Sequence, residues 1–68
     1  MFSKGERVWW FDEGNKVFGE VVGVGRSGKF VKVLVKRFVS CGCEGGWWLK
    51  YMVGFDVVMS VRELLLEG

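Results

Sequence analysis

Apolar and β-branched residues recur at short intervals along this chain, in runs too short for long helices. Glycine-rich polar segments bound the runs, and no proline interrupts them. In the third run, Val31, Val33 and Val35 alternate with larger or charged residues, which is the period of a strand with two different faces. The runs with strand composition cover residues 7–11, 16–24, 29–39, 47–53 and 56–61. The pattern predicts an all-β domain of five strands.

The segments between the runs predict how the strands are connected. Residues 12–15 (Asp-Glu-Gly-Asn) and 25–28 (Gly-Arg-Ser-Gly) have the composition of hairpin turns. Residues 40–55 are longer than a tight turn needs, and we expect them to extend the distal hairpin as a strand pair or flap. Only residues 61–68 have helical composition, enough for one or two turns at the C-terminal end.

Alternation within the runs predicts apolar side chains on both faces of the sheet. In the first strand, Val8 and Trp10 share one face, and Trp9 with Phe11 share the other. The valines of the third strand are predicted to form the core, which places Phe30, Lys32, Leu34, Lys36 and Phe38 on the opposite face. A small sheet that is apolar on both faces is expected to self-associate. The candidate residues for a subunit interface or a ligand contact are Leu34, Phe38, Trp47, Trp48 and Tyr51.

Composition supports the same expectation. The 68 residues are predicted to form one domain, 1–68, and they include four Trp, six Phe and one Tyr. So small a domain cannot bury all of these rings in its own core, so some are expected to contact a ligand or a second subunit. The formal net charge is only +2, but no acid lies between Glu20 and Glu44, whereas five cations do. This asymmetry favours an anionic partner.

The basic third strand is a candidate for nucleic-acid binding. Lysines attract phosphates, and exposed aromatic rings can stack on bases. The predicted binding residues are Arg26, Lys29, Phe30, Lys32, Lys36 and Arg37. The alternative is an ordinary solvated strand whose lysine stems cover apolar neighbours.

The opening of the chain, residues 5–8 (Gly-Glu-Arg-Val), a turn, and residues 18–22 (Phe-Gly-Glu-Val-Val), resembles the first hairpin of SH3-like small barrels such as Tudor, KOW and chromo-barrel modules. The amino-acid sequence of this hairpin is most similar to that of the plasmid-encoded type II dihydrofolate reductases. Their second strand and closing strand look like residues 19–23 and 57–67 here. The resemblance implies a single five-stranded SH3-like barrel and assembly into oligomers.

The reductase chemistry does not follow from this resemblance. Those enzymes use a lysine soon after the first valine and a Gln-Ile-Tyr run in the closing strand. The corresponding positions here look like Trp10 and Val58-Met59-Ser60, which lack those functional groups. We therefore carry over the architecture and predict that the chain is not an enzyme.

The residue types at the other candidate sites give little support for proton transfer, zinc binding or a phosphate loop. The chain has no histidine and no spaced pair of acids suited to proton transfer. Cys41 and Cys43 lack the spacing and the further ligands of a zinc site within one chain, so we predict reduced thiols and neither metal nor cofactor. A zinc ion shared by two subunits is the alternative. The glycines of residues 23–29 join two strands and do not open a helix, which excludes a phosphate loop.

Localisation and function follow as expectations. Two cysteines, the lack of an apolar leader and the short apolar runs favour a cytoplasmic protein that does not enter the membrane.

Trp9, Trp10, Phe11 and Phe18 could form an aromatic cage for a methylated lysine, although a role in core and interface is favoured. The favoured function is a self-associating, non-catalytic binding module that binds its partner through the basic third strand or the aromatic insert of residues 40–55. For the basic strand, weak nucleic-acid binding is the expectation. The alternatives are an oligomeric small-molecule binder or enzyme, with an aromatic site of Trp47, Trp48 and Tyr51 between subunits, and a partner-binding adaptor.

Overall fold

The computed structural model describes residues 2–40 and 49–67. In that part of the chain, five strands form one antiparallel sheet in the order β4-β3-β2-β1-β5. The elements are β1 (Arg7–Asp12), β2 (Asn15–Val24), β3 (Phe30–Val39), α1 (Leu49–Met52), β4 (Asp56–Ser60), a 3-10 turn (Val61–Glu63) and β5 (Leu65–Leu66). The all-β prediction is confirmed.

The first hairpin closes on a two-residue turn. Asp12 lies opposite Asn15, and the two residues between them have positive φ, 52° at Glu13 and 83° at Gly14. Positive φ at both central positions matches the right-handed twist of the flanking strands, as in a type I′ turn. The buried Asn15 side chain donates Nδ2–H to the Asp12 carbonyl, with an N–O distance of 3.2 Å. The predicted turn at residues 12–15 is confirmed.

The core lies on one face of the sheet. Val8 and Trp10 of β1, which the alternation predicted to share a face, pack there, and Trp9 and Phe11 lie on the opposite, outer face. The remaining buried apolar residues come from β2, β3 and the segment before β5; they are Val17, Val21, Val31, Val33, Val35 and Leu64. The predicted core face of the third strand is therefore confirmed.

A bulge in β3 overturns the prediction for Phe38. Gly19 pairs with Val35 but Phe18 pairs with Arg37, so Lys36 is an extra residue in β3. One extra residue reverses the alternation beyond it. Phe38, expected on the outer face with Lys32, packs instead against the core.

Gly19 permits the close approach of β2 and β3 beside this bulge. A Cβ at Gly19 would overlap the Val33 side chain and lie 2.7 Å from the Leu34 carbonyl oxygen. No other residue fits that space without moving β3. The bend in the sheet at this point therefore depends on a glycine.

One prediction of secondary structure was wrong, and a second was confirmed only as a shorter helical turn. Part of the run 47–53 forms the helical turn α1, because its Leu, Lys and Met favour helix and Met52 packs against the core. At the C-terminal end, the predicted helical segment is one 3-10 turn, capped by the Ser60 hydroxyl, and Leu65–Leu66 then pair with β1. Residues 41–48 of the predicted distal hairpin lie outside the described residues.

A short connection joins β4 and β5, which lie at the two edges of the sheet. β4 ends at Ser60 on one edge, and β5 begins at Leu65 on the other. In the described residues these two edges do not pair with each other, so the sheet is open there. Closure into a barrel stays a prediction.

Candidate functional site

An exposed aromatic ring and several cations meet at one end of the outer face. Phe30 begins β3 opposite Ser60, and two residues further along Lys32 lies opposite Val58. The Phe30 side chain is 52% exposed. Because residues two apart in a strand share a face, Phe30 and Lys32 point out of the sheet together.

The β2–β3 turn adds further cations to this end. Gly28 donates its N–H to the Gly25 carbonyl at 3.0 Å, and Gly25 donates to the Phe30 carbonyl at 2.9 Å. Arg26 lies inside this turn and is exposed. Lys29 follows it, with its N–H bonded to the Ser27 hydroxyl at 3.3 Å. The predicted residues Arg26, Lys29, Phe30 and Lys32 therefore lie together.

Arg62 joins the same surface, although it was not among the predicted binding residues. The Val61 N–H donates to the Lys29 carbonyl at 3.0 Å, which holds the 3-10 turn beside the β2–β3 turn. No pattern in the sequence indicates this contact, since Arg62 lies more than thirty residues from Lys29 and in a segment that has helical composition.

Phe30 separates two shallow pockets. One, of about 270 Å³, is lined by Lys29, Phe30, Ser60 and Arg62. The other, of about 280 Å³, is lined by Gly23, Val24, Gly25, Phe30, Val31, Lys32 and Val58. No described residue that lines either pocket is acidic. We name Lys29, Phe30, Lys32 and Arg62 the Phe30 surface.

The other two predicted binding residues lie elsewhere. Lys36 and Arg37 line a pocket of about 300 Å³ together with Arg7, Phe18, Gly19, Glu20 and Glu67. At about 3.4 Å per residue, Arg37 is about 17 Å along the strand from Lys32. The predicted set of six residues is thus divided between two sites.

The side chains around Arg37 interact with one another. The Arg37 guanidinium carbon lies 3.9 Å from the centre of the Phe18 ring. The same guanidinium is 3.5 Å from a Glu67 carboxylate oxygen. On the first hairpin, Lys16 Nζ lies 4.3 Å from the centre of the Trp9 ring. We name Trp9, Lys16, Phe18, Arg37 and Glu67 the Arg37 cluster.

The geometry does not favour the aromatic-cage hypothesis. Trp10 is buried in the core. Trp9 and Phe11 meet edge to face, with ring centres 5.1 Å apart and planes at 85°. The chain's own Lys16 lies over the Trp9 ring and 5.7 Å from the Phe18 ring centre, where a methylated lysine of a partner would have to bind.

The predicted interface residues are not brought together in the described structure. Leu34 is half-buried opposite Asp56, and Phe38 packs on the core instead of the outer face. Trp47 and Trp48 lie outside the described residues. Tyr51 lies in α1, but its side chain is outside the described part of the structure.

The remaining chemistry of the described residues is limited. Burial raises the pKa of Asp12 above its usual value, and the negative charges of Glu13 and Glu63 raise it further. Within residues 2–40 and 49–67, no three potential ligand side chains are grouped as a metal site requires. In the same residues, no helix is long and apolar enough to cross a membrane. Cys41 and Cys43 lie outside them.

No protein-family model, curated protein or solved structure matches the chain. Any functional inference therefore depends on the geometry of the two outer-face sites. Of these, the Phe30 surface carries an exposed ring, and none of its described pocket-lining residues is acidic, so it is the candidate functional site.

Proposed function

We propose that this protein is a non-catalytic binding module that holds single-stranded nucleic acid on the Phe30 surface. The observation that carries the proposal is the exposed Phe30 ring, set between two pockets whose charged lining residues are Lys29, Lys32 and Arg62. An open ring face can stack on a base of any sequence, while cations on both sides bind the flanking phosphates.

The charges predict weak, salt-dependent binding. Three cations line the Phe30 surface, and each phosphate contact to a single strand contributes a slope of about −0.7 to the dependence of log affinity on log salt. The total slope is then about −2. The formal net charge of +2 adds little long-range attraction, so binding is strongest at low ionic strength.

We further propose that the sheet is a small SH3-like barrel. In a flat sheet, four strand spacings of about 4.8 Å would place β4 and β5 about 19 Å apart. The connection between them consists of a 3-10 turn of three residues and Leu64, and a 3-10 turn rises only about 2 Å per residue. A connection this short requires a curled sheet, and the bulge at Lys36 adds to the bend.

A pair of matched phenylalanine variants tests the binding site. Phe30→Ala should weaken binding of a fluorescent oligothymidylate by about tenfold, because stacking contributes about 1–3 kcal/mol per base. Phe11→Ala should leave binding unchanged, although Phe11 is also on the outer face and is 63% exposed. The measurement is fluorescence anisotropy at low salt.

The proposal fails if wild-type protein does not bind the oligonucleotide, or if the two variants lose affinity equally. Each variant should first give the circular dichroism spectrum of the wild type, because a folding defect would also reduce binding. Both rings are exposed on strands, so we expect both variants to fold.

A further inference from the structure

The outer edge of β4 carries backbone N–H and C=O groups that no described strand pairs with. β4 pairs with β3 on one side, and no element in residues 2–40 and 49–67 pairs with its other side. The Val35 N–H donates to the Phe55 carbonyl at 3.0 Å, and the Val61 N–H donates to the Lys29 carbonyl at 3.0 Å. Bonding groups alternate sides along a strand, so the N–H and C=O groups of residues 56, 58 and 60 point away from β3.

Within the described residues, β4 has few of the devices that usually prevent strands from pairing between molecules. Natural edge strands are commonly interrupted by proline, a bulge or an inward charge. β4, Asp-Val-Val-Met-Ser, has neither proline nor lysine, and its pairing with β3 has no register shift. The central residue of β4, Val58, is 66% exposed, and Phe55, which immediately precedes the strand, is exposed as well.

We propose that two copies of this chain form a dimer by pairing their β4 strands antiparallel about a two-fold axis at Val58. In this register the outward N–H and C=O groups of Val58 bond to those of Val58 in the second copy. Asp56 of each copy lies opposite Ser60 of the other, and these are again residues whose bonding groups point outward. A two-fold axis allows the same edge to serve both copies.

The side chains at this edge favour a second copy over an unrelated strand. In the proposed register, exposed Phe55 lies opposite Val61 of the second copy, and both sides of that contact are apolar. Asp56 lies opposite Ser60 of the second copy, whose hydroxyl can donate to the carboxylate. Each of these contacts occurs twice, because the axis repeats it.

The dimer does not depend on the nucleic-acid proposal, but it would extend that site. The two sheets become continuous, and their outer faces lie on the same side. Lys32 pairs with Val58 in each copy, so the two Lys32 residues are three strand spacings apart, about 14 Å. One strand of nucleic acid could then contact both Phe30 surfaces, which increases affinity by avidity.

Two valine variants test the edge in the absence of nucleic acid. Val58 lies opposite Lys32 and Val39 lies opposite Lys16, and Val39 is 51% exposed. A glutamate at either position faces a lysine within the monomer, so both variants should fold. Only Val58→Glu places two negative charges, one from each copy, opposite each other at the two-fold axis of the dimer. It should raise the dimer dissociation constant by about tenfold or more, measured by sedimentation equilibrium, while Val39→Glu leaves it unchanged.

Amide hydrogen exchange of the wild type gives a second test that needs no variant. Raising the protein concentration should slow exchange at the outward-facing amides of Asp56, Val58 and Ser60. The amides of Val57 and Met59 already face β3 and should change little. A monomeric wild type, equal effects of the two glutamates, or protection without this alternation would overturn the proposal.

Discussion

The outer face of the sheet contains two aromatic and basic sites that differ in how their charges are used. In the Arg37 cluster, Arg37 stacks on Phe18 and contacts Glu67, and Lys16 lies over Trp9. On the Phe30 surface, the ring is exposed and no described lining residue is acidic. The same residue types therefore contact one another in the Arg37 cluster, whereas on the Phe30 surface they form an open binding surface.

The difference shows that composition alone does not define a binding site. A cation that already contacts a ring and a carboxylate must give up those contacts to bind a phosphate, which offsets the gain. A cation in solvent loses only water and counterions, whose release favours binding to nucleic acid. We therefore expect binding energy to concentrate at the Phe30 surface.

Matched double charge reversals should give the largest effect. Lys32→Glu with Arg62→Glu should weaken oligonucleotide binding by about a hundredfold at low salt, since each reversal replaces a phosphate contact with repulsion and each tenfold loss is about 1.4 kcal/mol. Lys36→Glu with Arg37→Glu changes the net charge equally and should cost less than about tenfold. Anisotropy titrations at several salt concentrations measure both.

The salt dependence separates local from general charge effects. The Lys32 and Arg62 double variant should lose most of the salt slope, whereas the Lys36 and Arg37 double variant should keep it. If both double variants lose affinity to the same extent, long-range charge governs binding and the comparison between the two sites is wrong.

A smaller effect is expected from the glycine beside the bulge. Gly19→Ala should destabilise the fold by about 1–3 kcal/mol, because the new methyl group overlaps Val33 and approaches the Leu34 carbonyl. Gly23→Ala is the matched control in the same strand, since its Cβ would lie 3.6 Å from the Lys32 Cβ, an ordinary contact. Urea unfolding measures both, and equal destabilisation would contradict a special role for Gly19.

Some of this structure could be predicted from residue patterns, because those features depend on residues that are close in the sequence. The alternation of Val31, Val33 and Val35 and the composition of residues 12–15 depend only on neighbouring positions, so the core face and the first turn were predicted correctly. Phe38 was placed on the wrong face because no residue type in β3 marks the bulge at Lys36. The bulge lies opposite Phe18 and Gly19 of the neighbouring strand, where the two strands approach closely.

The candidate site was predictable only in part for a related reason. Lys29, Phe30 and Lys32 are close in sequence, so their common surface could be expected. Arg62 reaches that surface through the hydrogen bond between Val61 and Lys29, which is a tertiary contact. Arg37 is separated from the site by its distance along β3, about 17 Å at about 3.4 Å per residue, whereas its contacts with Phe18 and Glu67 are tertiary.

The most direct test of the account is an NMR titration of isotope-labelled protein with oligothymidylate, following backbone amides. We predict the largest shift changes at Lys29, Phe30, Lys32 and Arg62, and small changes at Trp9, Lys16 and Arg37. Shift changes centred on Trp9 and Arg37, with the Phe30 surface unaffected, would contradict the proposed site. No shift changes at low salt would contradict nucleic-acid binding itself.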